Sequence, residues 1–414
     1  MKAILTSIGA LLISAAILLA GGGLLSTLVA IRAEAEGFSL SSIGLLTSGY
    51  YAGFIAGCLG TPFLVKRVGH VRVFAALSAL TAAASLMHVI AINIPVWLIL
   101  RILTGFSFAG LYMLIESWIN EQAPNEKRGE VLSIYRMVDL AAVTAGQFML
   151  TLADPKGFVL FSLVAICICV AIFPISISTS KAPLAVSKTS LDLRKLIKTS
   201  PYAVMGCFSV GLANGAFWGV GPVFVQQLGH PVLTVSIFMS VAIASGAALQ
   251  WPVGWLSDKI GRRIVMIFMS SLSVGAGVFL WKYAPQSQFM LLMGGALYGA
   301  FAMQIFGLSA AHANDYAQAD EFVAISGGLL LTYGIGSVFG PSLAPLFMAN
   351  FGASSMFAFT ACVHFFLALY GVWRMSQRKA AREGADYVPM ARPRSLILIL
   401  RSDPRNLLKR KKNL

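Results

Sequence analysis

Apolar residues run through this chain in long blocks, separated by short polar breaks. A bilayer core about 30 Å thick is crossed by about 20 apolar residues in a helix, so each block reads as a membrane-spanning helix. The breaks predict twelve spans, at 5–31, 40–65, 72–93, 95–120, 128–152, 157–178, 201–228, 233–255, 264–283, 288–314, 321–349 and 354–374. Met1-Lys2 ahead of an apolar run imitates a signal peptide. The uncharged stretch from Ala3 to Ile31 is too long for such an h-region, and it is expected to persist as span one. The expected fold class is an all-α membrane protein of twelve transmembrane helices.

The densest polar break is Gly254-Trp-Leu-Ser-Asp258-Lys259-Ile-Gly261-Arg262-Arg263, between spans eight and nine. It is expected to form a tight hairpin at a membrane surface, with Gly254 and Gly261 allowing close helix approach and a sharp reversal. An acid among bases needs a partner, and Asp258 is expected to face a helix N-terminus, that of span five near Arg128–Glu130. Between spans two and three stands a related break, Lys66-Arg67-Val-Gly69-His70-Val-Arg72. Gly69 and Gly261 lie 192 positions apart, and Gly105 and Asn120 lie 194 before Gly299 and Asn314. This offset predicts two pseudo-symmetric six-helix bundles, 1–178 and 201–374. A central loop (179–200) joins them, and a basic tail (375–414) follows. Duplicated halves are a frequent plan of secondary transporters.

Composition agrees with the pattern. Of 414 residues 57% are hydrophobic and only 11% charged, and the mean hydropathy is +0.79. The net charge of +15 invites a nucleic-acid reading, but its placement argues against one. Of the 31 basic residues, all but Arg32, Lys156, Lys282 and the intrahelical Arg101 and Arg136 fall on one side if the N-terminus is inside. That bias puts both termini in the cytoplasm, in what is expected to be a bacterial inner membrane. The five cysteines sit in apolar spans without ligand spacing, so no metal, redox role or cofactor is expected. No nucleotide loop, catalytic triad or other enzyme motif occurs.

On these residues the chain resembles the major facilitator superfamily. Gly254-x-x-x-Asp258-Lys259-x-Gly261-Arg262-Arg263 is similar to the family's signature loop between the second and third helices of a half. Arg101-Ile-Leu-Thr-Gly105 is similar to a second family motif, whose arginine is often tied to proton coupling. The resemblance implies the family fold and rocker-switch alternating access to a small-molecule substrate. The chain departs from the pattern at Lys66, which stands where the acid is expected, and at His70, where arginine is usual. Span five also lacks the antiporter glycine-proline motif, which leaves antiport open.

Ionisable groups inside spans are costly, and each is a functional candidate. Arg136 and Asp139 lie three apart on span five and can pair. Asp139 reads either as a proton carrier, balanced between burial and a neighbouring arginine, or as half of a permanent structural pair. Arg101 either anchors a substrate anion, couples to protons or satisfies backbone carbonyls. Glu116 near Lys66, Arg67 and Arg128 reads as a cytoplasmic gate, together with Asp258, Lys259, Arg262 and Arg263, or else as a substrate contact. Tyr112, Asn214, Trp218, Gln250, Trp251 and Gln304 are the cavity candidates, weighed against plain interhelical packing. His88 and His364 are expected to be satisfied core histidines. Glu34 and Glu36 are expected to be solvated loop charges. The basic tail is expected either to lie on the anionic inner leaflet or only to reinforce topology.

The expected function is secondary transport of a small molecule coupled to protons, by a monomer. The alternatives are an uncoupled or lipid-handling facilitator and a non-transporting receptor.

Overall fold

The computed structural model describes residues 2–123, 128–176, 193–316 and 322–377. Most of the expected central loop and nearly all of the expected tail lie outside the described residues. The described chain is helical throughout its ordered elements, as the apolar blocks predict. The helices are α1 (Lys2–Ala35), α2 (Leu40–Val68), α3 (His70–Ile90), α4 (Ile94–Gln122), α5 (Arg128–Met149), α6 (Val159–Val170) and α7 (Ile172–Ser176). There follow α8 (Leu193–Thr199), α9 (Pro201–Gln227), α10 (Val232–Ile260), α11 (Arg262–Tyr283), α12 (Gln288–Ala302), α13 (Ile305–Asn314), α14 (Phe322–Phe351) and α15 (Ser355–Gln377). Among the described residues, eleven helical segments are long and apolar enough to cross a membrane. The twelfth expected span is α5, whose charged residues Arg128, Glu130, Arg136 and Asp139 lower its hydropathy.

Two features of the elements differ from expectation. The polar knot is not a loop. α10 runs through Asp258 and Lys259 to Ile260, and α11 begins at Arg262, so Gly261 alone makes the reversal. Its φ of 96° lies where only glycine is unstrained, and Gly69 repeats the turn at 86°. In both turns the glycine N–H closes on the carbonyl four residues back, that of Ser257 or Val65. Spans six and ten, predicted continuous, are each split. In span ten the Gln304 N–H turns to the Phe301 carbonyl, three residues back. The Ala300 carbonyl thus freed is taken by the Gln304 side chain. A side chain substituting in the helical ladder is a usual cause of such a break.

The chain packs as two compact units, one of residues 1–187 with 217–240, the other of 188–216 with 241–414. In the first, α1 packs on α5 and α6, α2 on α4, and α3 on α4 and α6. Gln147 of α5 is buried and clasps α1, accepting from Thr27 and donating to the Gly23 carbonyl. Segment 217–240 joins this unit through Gly219, which lies against Thr47, and through Ser236, whose hydroxyl donates to the Gln147 carbonyl. In the second, α11 packs on α12, α13 and α15, around a core that includes Tyr202, Met266, Phe306 and Tyr333.

The 192-residue repeat is visible inside each unit. A Cβ on Gly105 would sit 2.0 Å from the Tyr50 carbonyl oxygen, and one on Gly299 would sit 2.0 Å from that of Ala242. Gly146 likewise abuts the Ala20 carbonyl, and Gly340 that of Leu212. The partners of each glycine pair, Tyr50 with Ala242 and Ala20 with Leu212, are again 192 apart. The same close approaches are thus built twice.

Candidate functional site

In the first unit the polar groups line up along α4 and α5. Arg136 Nη1 and Asp139 Oδ2 are 2.9 Å apart, the i,i+3 pair that the spacing predicts, and Asp139 is buried. Asp139 is eleven residues into α5, about 17 Å along its axis, so the pair sits deep in the bundle. Arg101 is buried on α4, its guanidinium 4.4 Å over the Tyr50 ring of α2. The Tyr50 π-face stabilises that cation.

Glu116 is buried near the other end of α4 and accepts a hydrogen bond from Tyr135 of α5, at 3.2 Å. Lys66 and Arg67 are exposed. Fifteen residues separate Arg101 from Glu116, about 22 Å along one helix, so they serve different places. Tyr112 stacks on Phe108 with its hydroxyl over Gly22, which uses the room left by the glycine triplet of α1.

In the second unit the knot at the α10–α11 turn is an ion network. Asp258 lies 3.3 Å from Arg262, one turn on across Gly261. The acid thus has a partner within its own motif. Arg262 is itself buried and reaches Asp315 at 2.8 Å, just beyond α13. Burial pushes the Asp315 carboxyl up to about 6 despite the Arg262 guanidinium, with Asp258 adding to the rise. Arg263 donates to the Tyr316 hydroxyl at 2.6 Å. Lys259 sits 3.8 Å over the Trp255 ring.

The cavity candidates separate into distinct environments. Asn214 is buried, and its Oδ1 meets no donor among the described residues. Gln304 is buried with its amide hydrogens committed to the Gly246 and Ala300 carbonyls, bracing α10 against the break in span ten. Trp218 is half-buried, edge-on to Phe217, and Gln250 is half-buried. Trp251 is 70% exposed, on one face with Ala244, Ala248 and Trp255.

Four expectations change. Glu36 is not merely solvated but pairs with Arg32 at 2.6 Å, and Glu34 is half-buried with a hydrogen bond to the Gln227 side chain. Arg32, placed in a loop by its position after span one, is buried and donates to the carbonyls of Pro155, Lys156 and Gly157. Of the two core histidines, His88 pairs only its Nδ1, with the Ala84 carbonyl, and its Nε2 is buried without a partner among the described residues, as are both ring nitrogens of His364. Asp315 and Tyr135 join the site although neither stands in any motif, and only tertiary contact reveals their roles.

Two units of apolar helices with repeated glycine contacts, and buried ions placed along helix axes, define a polytopic helical transporter. Comparison with known proteins names the family. The Major Facilitator Superfamily model matches residues 11–259 and 235–408, so the chain belongs to that family. It is 26% identical over 347 residues to the MFS-type transporter YcaD of Escherichia coli, covering 83% of this chain and 90% of the relative. The Salmonella arizonae YcaD is 25% identical over the same length. Among solved structures, the nucleoside transporter NupG superposes with a TM-score of 0.75 at 16% identity, over 89% of this chain and 99% of NupG. A D-xylose–proton symporter superposes with a TM-score of 0.70 at 16% identity, over 92% of this chain and 98% of that one. The protein is a multi-pass membrane transporter and not an enzyme.

Proposed function

We propose that this transporter is a secondary carrier that couples a small-molecule substrate to protons, with Asp139 as the group that loads and releases them. The supporting observation is the buried Arg136–Asp139 pair on α5, the least apolar of the expected spans. Arg101 is a second group for coupling or for substrate anions. Glu116, with Lys66, Arg67, Asp258, Lys259, Arg262 and Arg263, forms the cytoplasmic gate of an alternating-access cycle between halves 1–178 and 201–374. We place the protein as a monomer in a bacterial inner membrane, both termini in the cytoplasm, with the basic tail on anionic lipid.

The test begins with a thermal-shift screen for a substrate, followed by proteoliposome transport. Asp139→Asn is expected to abolish accumulation driven by a proton gradient while leaving energy-independent exchange. A variant that still concentrates substrate overturns the carrier assignment. The intact 2.9 Å pair within one helix also favours a second reading, an uncoupled facilitator in which the pair is structural. A jump in external pH separates the two readings, since only the coupled carrier moves substrate in response.

A further inference from the structure

One cleft in the second unit shares Arg263 with the proposed gate, and the rest of its lining has no role in that gate. It is a narrow cleft at the start of α9, with Ser200, Tyr202, Arg263, His312, Tyr316 and Arg374 in its wall. α9 is 27 residues long and opens on Pro201, so its first-turn N–H groups have no carbonyl of their own helix to meet. A helix of this length carries a partial positive charge there. Ser200, the residue immediately before, is the position from which a serine hydroxyl ordinarily caps those groups. Its hydroxyl instead is buried without any hydrogen-bond partner among the described residues, and so is that of Tyr202, each residue being only 2% exposed. An orphaned buried hydroxyl costs about 1–3 kcal/mol, and two on residues that line one cleft point to a group that satisfies them.

The remaining wall says what that group is. Arg263 is held by its bond to Tyr316, Tyr316 meets His312 edge-on at 5.3 Å, and His312 meets Tyr202 at 6.0 Å. Arg374 closes the other side from the last turn of α15. Among the described residues, no carboxylate lines the cleft. Asp315, adjacent to Tyr316 in sequence, is engaged by Arg262 at 2.8 Å. Gly371, one turn before Arg374, leaves room for the Tyr202 hydroxyl, which sits where a Cβ would otherwise crowd it. Two guanidiniums, a helix N-terminus and two hydroxyl donors together make an oxyanion receptor. The cleft admits only a water-sized group at its floor. An oxyanion would thus enter by a single oxygen, with the rest of the ligand outside beside the half-exposed Arg263 and Arg374.

We propose that this cleft binds a phosphate-class oxyanion, the phosphodiester of an anionic lipid or a soluble phosphate, which ties α9 to α11 and α15. The site lies within the second unit and does not depend on proton coupling at Asp139.

The experiment uses the full-length protein, its Arg374→Gln variant and its Ser200→Ala variant, in two arms. In detergent, thermal unfolding is followed during titration with inorganic phosphate, with chloride at matched ionic strength as control. In nanodiscs, unfolding is compared between phosphatidylcholine alone and phosphatidylcholine with phosphatidylglycerol. Stabilisation of the wild type by phosphate identifies a soluble ligand, and stabilisation by phosphatidylglycerol alone identifies a lipid headgroup. In either case the half-saturating amount is expected to rise about tenfold in Arg374→Gln, the loss of one charge-assisted bond, and less in Ser200→Ala. If neither phosphate nor phosphatidylglycerol stabilises the wild type beyond its control, the proposal is wrong. It is equally wrong if both variants respond as the wild type does.

Discussion

At the scale of single residues, Asp315 is the group whose environment makes the sharpest prediction. An aspartate carboxyl ordinarily titrates near 3.8, and burial raises this one to about 6 although Arg262 stands 2.8 Å away. The folded protein thus favours the protonated form more than the unfolded chain does. Below about pH 4 both states hold the proton and the group is neutral in its effect. Between about pH 4 and pH 6 the unfolded chain releases its proton first, so stability falls as pH rises, and above pH 6 the full cost is present. Asp315→Asn, uncharged throughout, is expected to match the wild type near pH 4. Above pH 6 it should be the more stable by up to about 3 kcal/mol, since one pKa unit is worth about 1.4 kcal/mol. Thermal unfolding of both proteins from pH 4 to pH 7 checks this. A difference that stays flat over that range contradicts the assignment. Protonation also weakens the bond to Arg262, so the ion network at the α10–α11 turn loosens toward acid pH.

At the scale of elements, helix contact is decided by glycines, and the repeat makes the outcome predictable. Gly299→Ala would push a methyl carbon to 2.0 Å from the Ala242 carbonyl oxygen, a backbone atom that can yield only if α10 and α12 separate. Gly275 on α11 has nothing within 4 Å of where a methyl group would stand, so Gly275→Ala adds only helix propensity, about 1 kcal/mol in its favour. The expected result is a large loss of folded Gly299→Ala by size-exclusion chromatography and an unchanged or higher melting temperature for Gly275→Ala. Comparable behaviour of the two variants would show that the close approach does not govern packing. The existence of these helices was legible in the sequence, because runs of apolar residues leave a helix no other way to satisfy its backbone in lipid. So were the turns at Gly69 and Gly261 and the i,i+3 pair of Arg136 and Asp139, since each depends on spacing along one stretch. The break in span ten was not, because it depends on Gln304 finding the Gly246 carbonyl of another helix. Asp315, the orphaned Ser200 hydroxyl and the Arg32 bonds to the loop at 155–157 were hidden for the same reason. Each is defined by residues far apart in the chain, and no local pattern announces them.

At the scale of the whole molecule, the distribution of charge makes a claim about orientation that no single helix carries. Lys66 and Arg67 close α2, Lys259 closes α10, and Arg262 and Arg263 open α11. The opposite ends of the helices carry Arg32, Lys156 and Lys282. Of these, Arg32 is neutralised locally by Glu36, which leaves still less positive charge on that side. Lysine and arginine resist translocation, so the richer side is expected to remain in the cytoplasm. The check is cysteine labelling in a background with the five native cysteines replaced. Lys156→Cys, in the loop between α5 and α6, and Ser287→Cys, at the start of α12, are expected to react with an impermeant maleimide on intact cells. Lys66→Cys is expected to react only after the membrane is opened. Both outer positions lie at helix ends, Ser287 as the cap whose hydroxyl accepts from the Met290 N–H, so the substitutions fall outside the packed helix faces. Reaction of Lys66→Cys on intact cells, with Lys156→Cys protected, would invert the topology. It would also move the α10–α11 ion network and the α9 cleft to the outside, where an inner-leaflet lipid could not reach them. The orientation therefore bears on the gate and on the oxyanion site alike, and one labelling experiment tests the premise they share.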